Sequence, residues 1–302
     1  MWLILAFFSA AMLGFYDASK KASLKDNAVL PVLLLNTIFS TIIFSPFLID
    51  YAGGFGWFEG TFLDTASESQ NGLQAHIAVI IKAFIVLSSW ICGYFGLKHL
   101  PLTIVGPINA TRPVLVLVGA LVIFGEKLNL WQWTGVILAL LSIFLMSRAG
   151  KKEDIDFKSN KWIWCLALAT IMGAVSGLYD KFIMKSLAPM FVQSWFNFYQ
   201  MIIMTVICGL LWYPKRHQST PFRWGWSIPL ISLFICIGDF AYFTSLSEAD
   251  SMISVVSLVR RSSVIISFIC GVVIFKERNI KAKLFDLLLI LLGMAFIWMG
   301  TL

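Results

Sequence analysis

The chain has 302 residues, of which 59% are hydrophobic and 13% charged, and its mean hydropathy is +0.85. A soluble domain is nearer half apolar and a quarter charged, so a water-facing fold is excluded and lipid must be the solvent for much of the surface. The net charge of +7 is not a nucleic-acid signature, because the Lys and Arg lie mostly in short connections between apolar stretches, where they set orientation.

A bilayer core about 30 Å thick asks for roughly 20 apolar residues per helix. In chain order the sequence predicts ten such spans: 2–22, 30–50, 77–97, 103–123, 131–148, 161–181, 191–213, 227–247, 252–275 and 283–301. The first lacks the basic leader of a signal peptide and is read as a retained span. The long connection 51–76 carries Gly53, Gly54, Gly56 and Gly60 with Glu59, Asp64 and Glu68. A short interfacial helix around Trp57–Leu63 and a plain polar loop are equal readings of it. The polar segment 151–161 links the two halves. The chain stops soon after the tenth span, and no soluble domain is expected.

Cys92, Cys165, Cys208, Cys236 and Cys270 are scattered through apolar runs without paired spacing. They read as small buried hydrophobes. His76, His99 and His217 fall in or near loops, so no zinc site is expected. The sequence offers no phosphate-binding P-loop, no HExxH and no G-x-S-x-G. Direct drive by ATP and a membrane-embedded enzyme are therefore disfavoured, and no cofactor, metal or nucleic-acid partner is expected.

Lys20, Lys21, Lys25, Lys98, Arg148, Lys151, Lys152, Lys158, Lys161, Lys215, Arg216, Arg223, Lys276, Arg278, Lys281 and Lys283 fall on one side of the predicted spans, whereas Lys127 and Lys185, with Lys181 if it counts as loop, fall on the other. The rich side is expected to be cytoplasmic. With ten spans both termini then face outward, as does the acidic connection 51–76.

Two short patterns recur. Gly14-Phe15-Tyr16-Asp17 in the first span matches Gly177-Leu178-Tyr179-Asp180 in the sixth. Phe124-Gly125-Glu126-Lys127 after the fourth matches Phe275-Lys276-Glu277-Arg278 after the ninth. A repeat of five spans is odd, so its second copy enters the membrane from the opposite side. The expected fold class is an all-α integral membrane protein whose ten transmembrane helices form two inverted five-helix repeats, 1–150 and 151–302. Together they make one membrane domain around a central cavity.

Ionisable groups inside spans cost roughly 2.5–3.5 kcal/mol each at the centre and usually face a cavity or a partner. Arg112, Arg260, Arg261, Lys82 and Lys181 are the interior cations; Asp17, Asp180 and Asp239 are the interior acids. If all are ionised, cations are in surplus. Guanidinium grips carboxylate and phosphate along two parallel hydrogen bonds, which points to an anionic or zwitterionic cargo. The candidate substrate-binding residues are Arg112, Arg260, Arg261, Lys82, Asn109, Tyr16, Tyr179, Tyr94 and Tyr242. Asp17, Asp180 and Asp239 are the candidate coupling or charge-pairing residues. A structural alternative pairs Asp17 and Asp180 with Arg112 and with Arg260 or Arg261. Pro107 and Pro113 bend the fourth span beside Asn109 and Arg112. Gly173 and Gly177 read as packing glycines.

The paired turns Gly125-Glu126-Lys127-Leu128 and Lys276-Glu277-Arg278-Asn279, the step Leu97-Lys98-His99-Leu100-Pro101 and the five-plus-five layout resemble the EamA-like members of the drug/metabolite transporter superfamily. The resemblance covers essentially the whole chain. It implies that spans one to four and six to nine surround a central cavity, with five and ten as outer support. It also implies cytoplasmic termini, where the charge count says the reverse; the lopsided count carries more weight for this chain. The expected function is a secondary active transporter or exchanger, in a bacterial cytoplasmic (inner) membrane, moving a small anionic or zwitterionic metabolite by alternating access. A flippase for a lipid-linked phosphate or sugar would use the same cations. A receptor or assembly subunit without transport is the reading from another class. Expected partners are the small-molecule substrate and the lipid bilayer, and the sequence leaves a homodimer open.

Overall fold

The computed structural model describes residues 1–61, 63, 72–99, 109, 112–125, 127–150, 160–273 and, in the last segment, 288–289, 292–293, 295–296 and 299–300. Regular structure among them is entirely helical. The helices are α1 (Trp2–Leu24), α2 (Val29–Gly53), α3 (Gly72–His99), α4 (Arg112–Ile123), α5 (Leu130–Gly150), α6 (Lys161–Ile183), α7 (Pro189–Ile207), α8 (Ser227–Ser247), α9 (Ile253–Arg260) and α10 (Ser263–Val273). Beyond Ile207, α7 runs on through a wide π turn, Cys208–Trp212, and a tight turn, Tyr213–Lys215. Among the described residues, six helical segments are long and apolar enough to cross a bilayer: α1, α2, α3 to Gly96, α6, α7 with its continuation to Lys215, and α8. Most of the predicted span 283–301, the linker 151–159, the turn 276–279 and the start of the fourth span with Pro107 lie outside the described residues.

The connection after α2 is shorter than its composition suggested. α2 runs to Gly53 and stops because Gly54 takes the left-handed conformation (φ 62°), its N–H donating to the Asp50 carbonyl. Trp57–Gly60 is a turn rather than an interfacial helix. The predicted ninth span is two helices, α9 and α10. The Arg261 N–H reaches Leu258 O at 3.0 Å and the Ser262 N–H reaches Val259 O at 2.9 Å, so the chain tightens into a 3₁₀ turn at the arginine pair without a proline.

Apolar side chains such as Ile4, Phe8, Phe84, Val206 and Leu210 are exposed, while Ser9, Asn36, Gln193, Gln200 and Ser232 are buried. That distribution suits a molecule solvated by hydrocarbon rather than water. With the six apolar segments of spanning length, it marks an integral membrane protein.

The chain falls into two compact units. Unit 1 is 1–87 with 179–251, and unit 2 is 88–178 with 252–302. In unit 1, α1 lies antiparallel to α8, with Ser245 Oγ donating to Trp2 O (2.8 Å), Ser9 Oγ to Gly238 O (2.6 Å), and Ser23 Oγ bonded to Ser227 Oγ (2.6 Å). Small residues let these backbones approach: a Cβ on Gly238 would stand 3.1 Å from Met12 Cβ. α2 packs on α7, where Thr41 Oγ1 donates to Asn197 O at 3.0 Å. In unit 2, Ser89 Oγ of α3 donates to Ala169 O of α6 at 2.7 Å, and α4 packs on α9.

Candidate substrate site

Unit 1 holds all three interior aspartates, and Asp17 and Asp180 have lysine partners. Lys82 of α3 is 2% exposed; its Nζ donates to Asp180 Oδ1 of α6. The same Nζ lies 4.4 Å from the ring centroids of Phe196 on α7 and Phe243 on α8. Cation and carboxylate thus share an apolar box in which aromatic faces add to the attraction. Beside Asp180, the Tyr179 hydroxyl donates to Ala78 O at 3.1 Å. Lys181 is buried and donates to Leu246 O (3.3 Å), Ser251 O (2.6 Å) and Ser251 Oγ. It therefore caps the Leu246 carbonyl at the end of α8 and ties it to Ser251 in the turn beyond. Asp17 bonds Lys20 one turn on, at 2.7 Å, and its side chain is 42% exposed. Lys20 Nζ also sits 4.4 Å from the ring centroid of Tyr16, which is buried. Asp239 and Tyr242 are buried on α8.

The alternative that paired these acids with arginines needs correcting: Asp180 meets Lys82 and Asp17 meets Lys20. Helix neighbours decide the partner, because α3 lies against α6, while Lys20 follows Asp17 on the same face of α1.

Unit 1 also buries a polar stripe. Gln193, Phe196, Asn197 and Gln200 recur at helical spacing on α7, all buried. Gln193 Oε1, Asn197 Nδ2, Gln200 Nε2 and, on α2, Asn36 Nδ2 have no hydrogen-bond partner among the described residues. Such groups are rare in folded proteins.

Unit 2 holds Arg112, Arg260, Arg261, Asn109 and the buried Tyr94, and none of the three span aspartates. Arg112 opens α4, and its guanidinium lies on Gly173 of α6: a Cβ there would stand 2.9 Å from Cζ. Three residues earlier in each segment, Thr170 Oγ1 of α6 is 3.3 Å from Oδ1 of Asn109, which precedes α4. The pairs 109/112 and 170/173 thus face each other in register. Arg260 is the last residue of α9 and Arg261 the first of the tight turn; both are half-buried. Guanidinium, carboxamide and hydroxyl groups in one region can bind an oxyanion.

Sequence reading missed Thr170, Phe196 and Phe243, and took Gly173 for packing alone. A signal existed for two of these: the i,i+3 spacing of Thr170 and Gly173 repeats that of Asn109 and Arg112. Nothing marks Phe196 and Phe243 among so many apolar neighbours.

Known proteins place this architecture. A curated relative from Archaeoglobus fulgidus, described as an uncharacterized transporter, is 23% identical over 174 residues, 56% of this chain and 58% of the relative. The match thus spans little more than half of that relative's length. A solved crystal structure, described only as that of a protein, superposes with a TM-score of 0.72 over 98% of both chains at 14% identity, a likeness of fold. The model of the EamA-like transporter family matches residues 1–148 and 160–299. The chain belongs to the EamA-like transporter family.

Proposed function

We propose that this transporter is a secondary transporter or exchanger for a small anionic or zwitterionic metabolite, working by alternating access between two inverted five-span repeats. The observation that carries the cargo class is the grouping in unit 2 of Arg112, Arg260 and Arg261, with Arg112 set beside Asn109 and Thr170. The lysines do not add to that capacity: Lys82 answers Asp180 and Lys181 caps α8.

The repeat reading has two supports. The family model covers each half of the chain. The helix pairings also exchange as such a repeat requires: α1 with α8 corresponds to α6 with α3, while α2 with α7 and α4 with α9 correspond to themselves. The setting is a bacterial cytoplasmic membrane with both ends of the ten-span segment outside, on the strength of the Lys and Arg distribution. No enzymatic step is invoked.

Uptake into liposomes tests the reading. Purified protein is reconstituted and screened with radiolabelled organic anions and zwitterions. Arg112→Ala and Arg260→Ala are expected to lower uptake of the cargo at least tenfold. Unchanged uptake in both variants would sink the cation-site idea.

A further inference from the structure

We infer that Gly173 is a positioning residue for Arg112: it lays the guanidinium flat on the α6 backbone and commits the site to oxyanions, carboxylate or phosphate, gripped along the guanidinium edge. This rests on the anion reading above and adds to it a residue and a binding mode.

The geometry is specific. A Cβ built on Gly173 would lie 2.9 Å from Arg112 Cζ, 3.0 Å from Nε and 3.0 Å from Nη1. Near-equal distances of that size to three atoms of one plane are met only from above the plane. An approach along the edge would leave Cζ clearly the farthest of the three. The guanidinium therefore rests face-on against the glycine, and its N–H donors radiate parallel to the surface of α6. A planar fork held this way meets a carboxylate or phosphate through two parallel N–H···O bonds.

Real Cβ atoms essentially never come this close to another heavy atom, so any other residue at 173 must push the guanidinium away. Glycine inside a helix is destabilising relative to alanine, and the flat seat is a reason for it here. The neighbouring contact agrees: Thr170 Oγ1, three residues before Gly173, lies 3.3 Å from Oδ1 of Asn109, three residues before Arg112, so the two segments meet at matching positions beside the guanidinium.

The test uses full-length protein in detergent and compares wild type with Gly173→Ala. Phenylglyoxal, which attacks guanidinium nitrogens, is applied and modification at each arginine is read by mass spectrometry. With the seat filled, both faces of Arg112 open, and labelling there is expected to run at least threefold faster, with Arg260 and Arg261 unchanged. Inorganic phosphate is expected to protect Arg112 in wild type and to need at least tenfold higher concentration in Gly173→Ala. Dihexanoyl phosphatidate serves as the parallel arm, and protection by it alone assigns the oxyanion to a lipid headgroup. An unchanged or slower labelling rate overturns the seat, whatever phosphate does. Faster labelling without protection by either anion overturns the oxyanion reading and leaves the seat standing. Should Gly173→Ala fail to fold, the pair Arg112→Lys with Gly173→Ala must fold, because the slender lysine clears the new methyl group; failure of both overturns the proposal.

Discussion

Lys82 and Asp180 are bonded to each other in a box closed by Phe196 and Phe243. Two charges moved out of water recover their desolvation cost only through each other. Removing one leaves the other stranded, so Lys82→Met and Asp180→Asn are each expected to destabilise the protein by about 3–5 kcal/mol. The double variant should recover most of that loss. Thermal unfolding in detergent reads all three; a double loss equal to the sum of the single losses would show that the two side chains act independently. Both residues stood out in the sequence, since charge inside an apolar run is visible from composition alone. Their pairing did not, because it depends on α3 lying against α6, and a single chain's hydropathy carries no record of helix neighbours. For the same reason a count of interior charges overstates binding capacity: Lys181 is taken up by the carbonyls of Leu246, at the end of α8, and Ser251, in the turn beyond.

At the scale of the element, hydropathy located α1, α2, α6, α7 and α8 to within a few residues, because a span is an uninterrupted apolar run of fixed minimum length. What it could not locate were features made by backbone hydrogen bonding. The tight turn between α9 and α10 carries no proline and falls among Arg and Ser residues. α2 has the opposite character: it contains Pro46 yet runs unbroken from Val29 to Gly53. Pro46 has no N–H to give the carbonyl of Ile42, four residues back, and in hydrocarbon no water replaces it. Ser45 Oγ donates to that carbonyl at 2.8 Å instead. Ser45→Ala is therefore expected to cost about 1 kcal/mol, the usual worth of a side-chain hydrogen bond in a membrane. In a Pro46→Ala background, where the backbone donor is restored, the same change should cost almost nothing. Equal losses in the two backgrounds, measured by thermal unfolding, would mean that Ser45 does not compensate for the proline.

At the scale of the molecule, each compact unit draws residues from both sides of 150/151, the boundary of the proposed repeats. Sequence order and compactness thus divide the chain differently, and sequence alone gives only the first. The candidate site is legible in the sequence as residue types, here arginine, asparagine and aspartate inside predicted spans. It is not legible as a set of neighbours, because Arg112 and Asp180 belong to different compact units while Arg112 and Gly173 share one. Orientation is a molecular property for which the sequence carries its own expectation. On the proposed ten-span layout, Lys20, Lys21, Lys25, Arg148, Lys151, Lys152, Lys215, Arg216 and Arg223 would share one side, against Lys127 and Lys185 opposite. Translocation of short basic loops is disfavoured, so on the proposed ten-span layout the rich side is expected to stay in the cytoplasm, with both ends outside. Alkaline phosphatase, active only outside the cytoplasm, should therefore be active when fused after Leu302, and green fluorescent protein, which fails to mature after export in an unfolded state, should be dark. The reverse pair of signals would place the terminus inside. It would require either an odd number of spans or an insertion governed by something other than these Lys and Arg residues. A second fusion in the connection after Lys151 separates those cases: it stays cytoplasmic if only the span count is wrong, and moves outside if the whole segment is inverted.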